Sequence, residues 1–417
     1  MTPVHPAAKS GLLDRRRFIA RGLPVLGGVT LAAQASDTVQ LAPEWTREPG
    51  GADVPYGERS GFEAGVVRQL SADSPGFAIW RTPLDRLRGH ITPNSLHFAV
   101  HHNGIPDIAP QRHQLVLHGL VERPLRFDLE RLERYPMHSR IHFLECSGNT
   151  AANALSPFAK DLSVQELSGE VSSAEWTGVP LSVLLREAGV KPKARWAIIE
   201  GADGGTHQRS LPMHKLMDDA IVALYQNGER LRPSQGYPMR LFVPGWEGNV
   251  NVKWLHRIEL SDVPAHTKDE AGMYTEVLAD GRIRRFSFTM EVKSLITHPS
   301  GRQHLPQLHG FHEISGLAWS GDGRIARVEI STDGGRQWHD ARLEGPVLSM
   351  AFTRFSLPWR WDGRAAILMS RAHDEHGRVQ PTRAAWKKRF AAHTFNHYNA
   401  IQAWRIHNDG RVENVYA

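Results

Sequence analysis

Residues 140–150 read Arg140-Ile-His-Phe-Leu-Glu-Cys146-Ser-Gly-Asn149-Thr150. An apolar, strand-like run gives way to a Glu-Cys-Ser-Gly-Asn turn, so the thiol is displayed on a loop steadied by a rigid element. Cys146 is the only cysteine in 417 residues, and no disulfide can form within the chain. Its thiolate would be soft and polarisable, suited to nucleophilic attack or to ligation of a soft or high-valent metal. A buried, inert thiol is the alternative reading of the same residue.

Outward from this stretch, strands and helices interleave irregularly. Leu115-Val-Leu-His-Gly119, Arg195-Trp-Ala-Ile-Ile-Glu200 and Arg240-Leu-Phe-Val-Pro-Gly-Trp246 read as strands entering turns. Leu181-Ser-Val-Leu-Leu-Arg-Glu-Ala188 has helical spacing and stops at Gly189, and a second helix is expected within 211–224. This mixture predicts an α+β domain rather than a doubly wound sheet, and no G-x-G-x-x-G follows a strand. Around 262–285 the texture loosens, and beyond it the pattern is all-β. Gly323-Arg-Ile-Ala-Arg-Val-Glu-Ile-Ser331 offers Ile325, Val328 and Ile330 to a core, Thr332-Asp-Gly-Gly335 makes a turn, and Ala365-Ala-Ile-Leu-Met-Ser-Arg371 is another strand. These short strands predict an immunoglobulin-like β-sandwich, with most of the four tryptophans from Trp319 to Trp361 in its core. The domain plan is 66–284 for the α+β unit and 285–417 for the sandwich.

Hydrophobic content of 41% and charged content of 23% are those of a globular protein. Lys and Arg outnumber Asp and Glu by 50 to 44 but are scattered, and without a basic run, helix-turn-helix or zinc-finger spacing no nucleic-acid partner is expected. Asp14-Arg-Arg-Arg-Phe-Ile19, a Gly-rich apolar run over 23–33 and Ala33-Gln-Ala35 read as a twin-arginine export signal occupying 1–35. The run is too short for a permanent membrane span. Residues 36–65 would form an extended mature N-terminus, and the expected location is the periplasm. Twin-arginine export suits a protein that folds around a cofactor before translocation.

Several chemistries can be set aside. Zinc normally calls on two or more Cys or His at short spacing, and His101-His102 is adjacent rather than i, i+4. Covalent haem needs C-x-x-C-H, so no haem is expected on this chain and redox chemistry would hand electrons to a second protein. Gln235-Gly-Tyr-Pro-Met-Arg-Leu-Phe-Val-Pro-Gly-Trp-Glu-Gly-Asn-Val-Asn-Val-Lys-Trp254 places Arg240 and Lys253 around glycine-containing turns. Cations beside backbone N–H groups make a site for phosphate or another anion, though the run is equally a strand, a turn and a strand. Trp176 reads as a packing residue.

In this order the segments resemble the sulfite oxidase family of molybdopterin enzymes, and most closely the molybdenum subunits of bacterial sulfane/sulfite dehydrogenases of thiosulfate oxidation. The resemblance runs from about residue 66 to the C-terminus. It is carried by His101-His-Asn-Gly-Ile-Pro-Asp107, His142-Phe-Leu-Glu-Cys-Ser-Gly-Asn149, Glu175-Trp-Thr-Gly-Val-Pro-Leu181, Glu200-Gly-Ala-Asp203, Asn227-Gly-Glu229, the run 235–254, Phe311-His-Glu-Ile-Ser-Gly-Leu-Ala-Trp-Ser320 and Ser331-Thr-Asp-Gly-Gly335.

The resemblance implies that Cys146 gives its thiolate to molybdenum in a Mo-molybdopterin cofactor. His101, His102, Asp203, Gln235, Arg240, Asn251, Val252 and Lys253 would hold the pterin and its phosphate, and Tyr274 would position an oxyanion substrate. The implied activity is oxidation of sulfite or protein-bound sulfane sulfur by oxygen-atom transfer, with electrons passing to a c-type cytochrome subunit or acceptor. An immunoglobulin-like dimerisation domain implies a homodimer or heterotetramer. Two other readings stand beside it: a molybdopterin reductase of oxidised methionine or another oxo substrate, and a non-enzymatic exported binding protein. The chain departs from the family at Val100 and Ala151, where the family has arginines, and its last active-site segment offers His397 in place of another. Fewer fixed cations weaken recognition of a small dianion and leave room for a larger or protein-linked sulfur substrate.

Overall fold

The computed structural model describes residues 54–71, 76–305 and 310–416. The export signal expected over 1–35 and the greater part of the segment 36–65 lie outside the described residues.

Two sheets build the α+β unit. In one, His138–Glu145 pairs with Val171–Pro180, which pairs with Ile221–Gln226, which pairs in turn with Glu229–Arg230 and Arg240–Phe242, all antiparallel. The other runs Leu125–Phe127, Leu115–Gly119, Leu255–Ser261, Trp196–Gly201, Gln208–Pro212, and only the pair Leu115–Gly119 with Leu255–Ser261 is parallel. The helix Leu181–Ala188 adds Leu181, Leu184 and Leu185 to the core both sheets share, and ends at Gly189 in the left-handed conformation that favours glycine. A small third sheet joins Gln69–Leu70, Ala78–Arg81 and Ala99–His101.

The helix expected within 211–224 is shorter than its pattern. Met213–Asp218 is helical, whereas Ile221–Gln226 is a strand. Ile221, Val222, Ala223 and Leu224 are all buried, as in a central strand covered on both faces, and such an apolar run carries no period to separate strand from helix.

Beyond residue 292, a sheet ordered Lys293–His298, Gly310–Trp319, Thr353–Trp361, Arg342–Glu344 packs on another ordered His339–Asp340, Ile325–Ser331, Ala366–Asp374, Ala403–Ile406, Val412–Val415. In chain order this is first-second-sixth-fifth against fourth-third-seventh-eighth, the immunoglobulin arrangement, with a last strand appended. Ile325, Val328 and Ile330 are buried as expected; a bulge between Ile325 and Arg327 lets Ile325 share a face with Val328. Trp319 and Trp361 are core residues, Trp359 is half-buried against that core, and Trp338 is half-buried in a separate cluster with Met369, Ile401, Ala403 and Val415.

The two units share side chains. Leu84, Phe143, Val164, Leu167 and Val171 belong to the sandwich core, whereas Leu144 packs with Phe98, Trp176 and Phe242. Successive side chains of a strand point to opposite faces. The strand leading to Cys146 is therefore clamped between the sandwich on one side and the α+β unit on the other.

Candidate active site

Cys146 follows His138–Glu145 directly, and the turn after it is fixed from several directions. Asn149 Nδ2 donates to Glu145 Oε1 at 2.9 Å, and Asn149 Oδ1 accepts the N–H of Glu170 at 3.2 Å. The N–H of Cys146 donates to the Glu170 carbonyl at 2.9 Å, and that of His397 donates to the Ser147 carbonyl at 2.8 Å. Behind the turn, Glu145 accepts from Lys293 Nζ at 2.9 Å and from Trp319 Nε1 at 2.7 Å, both contributed by the sandwich.

Cys146 lines a cavity of about 380 Å³, within the range of ligand and cofactor sites. Its wall brings together Tyr274, His101, His102, Asp203, Gln235, Arg240, Asn251, Val252 and Lys253, whereas His397, offered by the last active-site segment, is not on it. Lys253 Nζ lies 2.8 Å from the Val100 carbonyl and 2.8 Å from His101 Nδ1. Burial, and then Lys253, push His101 down to about 3, so its neutral ring accepts from the lysine. Burial, and then Arg240, push Lys253 well below the usual lysine range. Arg240 donates to the carbonyls of Gln235 at 3.1 Å and Asn251 at 2.8 Å, its guanidinium lies 5.0 Å from the centre of the Trp176 ring, and burial pushes it down to about 9. Trp176 thus packs against the site rather than lining it. Gly236 makes the approach of these groups possible, because a Cβ there would lie 3.0 Å from Lys253 and 3.2 Å from Arg240 at a φ of +106°.

Gln235 Nε2 donates to the Phe98 carbonyl at 2.9 Å, and Asn251 Oδ1 accepts from the Val243 N–H at 2.7 Å. Asp203 accepts from the His207 N–H at 2.9 Å and from Asn103 at 3.3 Å. The Tyr274 hydroxyl lies 3.4 Å from His102 Nε2, and its ring lies 4.7 Å from the guanidinium of Arg209. Arg209 is fully buried and pairs with Glu270 at 2.8 Å and Glu247 at 3.1 Å; Glu247 also meets His397 Nε2 at 3.0 Å. None of Arg209, Glu247 and Glu270 stands out in the sequence. Phe395 and Asn396, far along the chain, complete the wall.

The donor set has a gap of a particular kind. Among the buried polar atoms without a partner are His101 Nε2, Arg240 Nε, Asn249 Oδ1 and Arg81 Nε, all on cavity residues. Each such group costs roughly 1–3 kcal/mol unless a partner is supplied. Among the described residues no cluster of three or more His, Cys, Asp or Glu could hold a metal ion. The arrangement suits a metal that brings most of its ligands on an anionic organic carrier and takes one thiolate from the protein.

Residues 102–268 match the oxidoreductase molybdopterin binding domain, and residues 284–403 match the Mo-co oxidoreductase dimerisation domain. The chain belongs to the sulfite oxidase family of molybdopterin oxidoreductases, whose cofactor is Mo-molybdopterin. Within that family it is similar to the crystal structure of the sulfane dehydrogenase SoxCD from Paracoccus pantotrophus. That similarity has a TM-score of 0.87 at 44% identity and covers 89% of this chain and 97% of that one. It is also 30% identical over 345 residues to nitrate reductase [NADH] 2 of Phaseolus vulgaris, covering 73% of this chain and 39% of that protein. Nitrate reductase [NADH] 1 of Arabidopsis thaliana is 30% identical over 350 residues, covering 73% and 37%. The chain thus spans about two fifths of the length of these reductases. The dimerisation domain supports dimer formation, and no helix among the described residues is long and apolar enough to cross a membrane.

Proposed function

We propose that this chain is a periplasmic molybdenum oxidoreductase that oxidises sulfite or protein-bound sulfane sulfur and passes electrons to a c-type cytochrome subunit or acceptor. The observation that carries the reading is the convergence of the chain's single thiol, a cationic cradle and Tyr274 on one cavity. When bound, the cofactor supplies oxygen-atom transfer and two-electron redox capacity.

The chain's own residues do the rest. Arg240, Lys253, Gln235 and the segment 251–253 would hold the phosphate and pterin, with Asp203, His101 and His102 completing the polar contacts. Burial, and then Glu170, raise the Cys146 thiol well above its usual range, so it stays protonated until a ligated metal would take its place on the sulfur. Burial, and then Cys146, hold the Tyr274 hydroxyl protonated, so it donates to a substrate oxygen, and Arg209 fixes the ring. Val100 and Ala151 contribute no charge to the wall, which favours a larger or protein-linked sulfur substrate. Similarity to a sulfane dehydrogenase supports the same choice. The sandwich would join copies as a homodimer or, with a cytochrome subunit, as a heterotetramer.

The test is an assay of the purified, cofactor-loaded chain with sulfite and cytochrome c, with and without a co-expressed haem partner. Chain made in cells able to insert the cofactor should contain molybdenum; chain free of molybdenum would defeat the reading.

A further inference from the structure

Several polar groupings line the cavity. One is the cradle of Arg240, Lys253 and His101, and another joins Asp203, His102, His207 and Tyr274. A third is an ion pair, Arg81 with Glu170, whose guanidinium nitrogen and carboxylate oxygen are 2.7 Å apart and whose side chains are 15% and 7% exposed. Ile79 pairs with Val100 across the small sheet, and Arg81, two residues further, projects from the same face. Arg81 also donates to Ser71 Oγ. Glu170 reaches the cysteine turn through its backbone: its carbonyl accepts the Cys146 N–H at 2.9 Å, and both residues line the cavity.

Part of the wall beside the thiol is apolar. Leu144 and Val100 pack in the same apolar cluster as Cys146. Phe395 covers Gly148, where a Cβ would lie 3.5 Å from the Phe395 ring and 3.9 Å from the Cys146 sulfur. Arg81 meets the carboxylate of the residue whose backbone holds the Cys146 N–H, so its charge is already matched by Glu170.

We propose that the Arg81–Glu170 pair sets substrate specificity on the reacting side of the cavity: Glu170 neutralises Arg81, so the wall gives small sulfur dianions no net attraction and accepts a sulfur atom carried on a larger, less charged group such as an organic persulfide. This rests on the sulfur-oxidising reading above. The substrate is held by shape and by Tyr274, and the cationic cradle is reserved for the cofactor's phosphate.

The test uses the molybdenum-loaded enzyme and reads equilibrium binding as well as turnover. Sulfate and its neutral isostere dimethyl sulfone are titrated calorimetrically into the native enzyme, Glu170→Gln, Glu170→Ala and the double variant Arg81→Met/Glu170→Gln, and sulfite KM is measured in each. Molybdenum content and melting temperature establish that each variant is folded and loaded; Glu170→Ala serves should Glu170→Gln fail to load. Freeing Arg81 should tighten sulfate binding roughly tenfold, lower sulfite KM in parallel and leave the sulfone unchanged, and the double variant should lose the gain. Unchanged sulfate affinity on removing the carboxylate, or a gain that survives loss of Arg81, would overturn the proposal. Should no form oxidise sulfur while sulfate affinity still follows the charges, the enzymatic reading fails and the charge pairing stands.

Discussion

Lys293 Nζ lies 2.9 Å from Glu145 Oε1, and the two side chains are 5% and 1% exposed. The pair joins the first strand of the sandwich to the residue before Cys146. Thr150 Oγ1 accepts from the same ammonium at 3.1 Å, so one lysine grips both ends of the cysteine turn. The sandwich is therefore part of the active-site scaffold as well as a dimerisation domain.

Removing one partner of such a pair leaves an uncompensated buried charge, at a cost of about 3–5 kcal/mol. Lys293→Met should lower stability by that order in denaturant titration. Cofactor-free Lys293→Met chain should also react faster with iodoacetamide at Cys146, because the turn loses its anchor. An unchanged alkylation rate in folded variant would separate the sandwich from control of the turn.

Cys146→Ser should abolish sulfur oxidation while leaving the fold intact, since a hydroxyl is a much poorer soft ligand and differs little in volume. Circular dichroism and melting should match the parent. Near-normal turnover would exclude thiolate ligation.

Tyr274→Phe keeps the ring over Arg209 and removes the donor. A hydrogen bond to a charged group contributes roughly 1.5–3 kcal/mol, so kcat/KM should fall about 10- to 100-fold with the fold unchanged. Kinetics equal to the parent would place the hydroxyl outside the reaction.

Cys146, Arg240 and Lys253 are legible in the sequence because each lies where an apolar run meets a glycine-containing turn, a local pattern with a local meaning. The sandwich is legible for the same reason, from the alternation of Val328 and Ile330, which a bulge extends to Ile325. Lys293, Arg209 and Arg81 are not. Each is an ordinary cation in a strand, and what makes it matter is a carboxylate 148, 61 or 89 positions away that only the tertiary fold brings to it. The strand Ile221–Gln226 was hidden differently, its burial on both faces erasing the period that would mark it.

His397 offers a pH test of the network behind Tyr274. Its side chain is 4% exposed, its backbone is left-handed at φ +56°, and Nε2 sits 3.0 Å from Glu247 Oε2. Burial alone would lower this imidazole, but the hydrogen bond and charge of Glu247 outweigh it and the pKa is raised above 6.5. The folded state then holds a proton that the unfolded chain releases. The stabilisation is fully present below the unfolded pKa, roughly 6.5, and is lost as pH rises through the folded value. Asparagine tolerates the left-handed backbone and carries no titrating proton. In urea titrations of cofactor-free protein, native chain should therefore exceed His397→Asn in stability by on the order of 1 kcal/mol near roughly pH 5.5, and the margin should shrink by roughly pH 8.5. A margin that stays constant across that range would mean that His397 is neutral in the fold and that Glu247 is balanced by Arg209 alone.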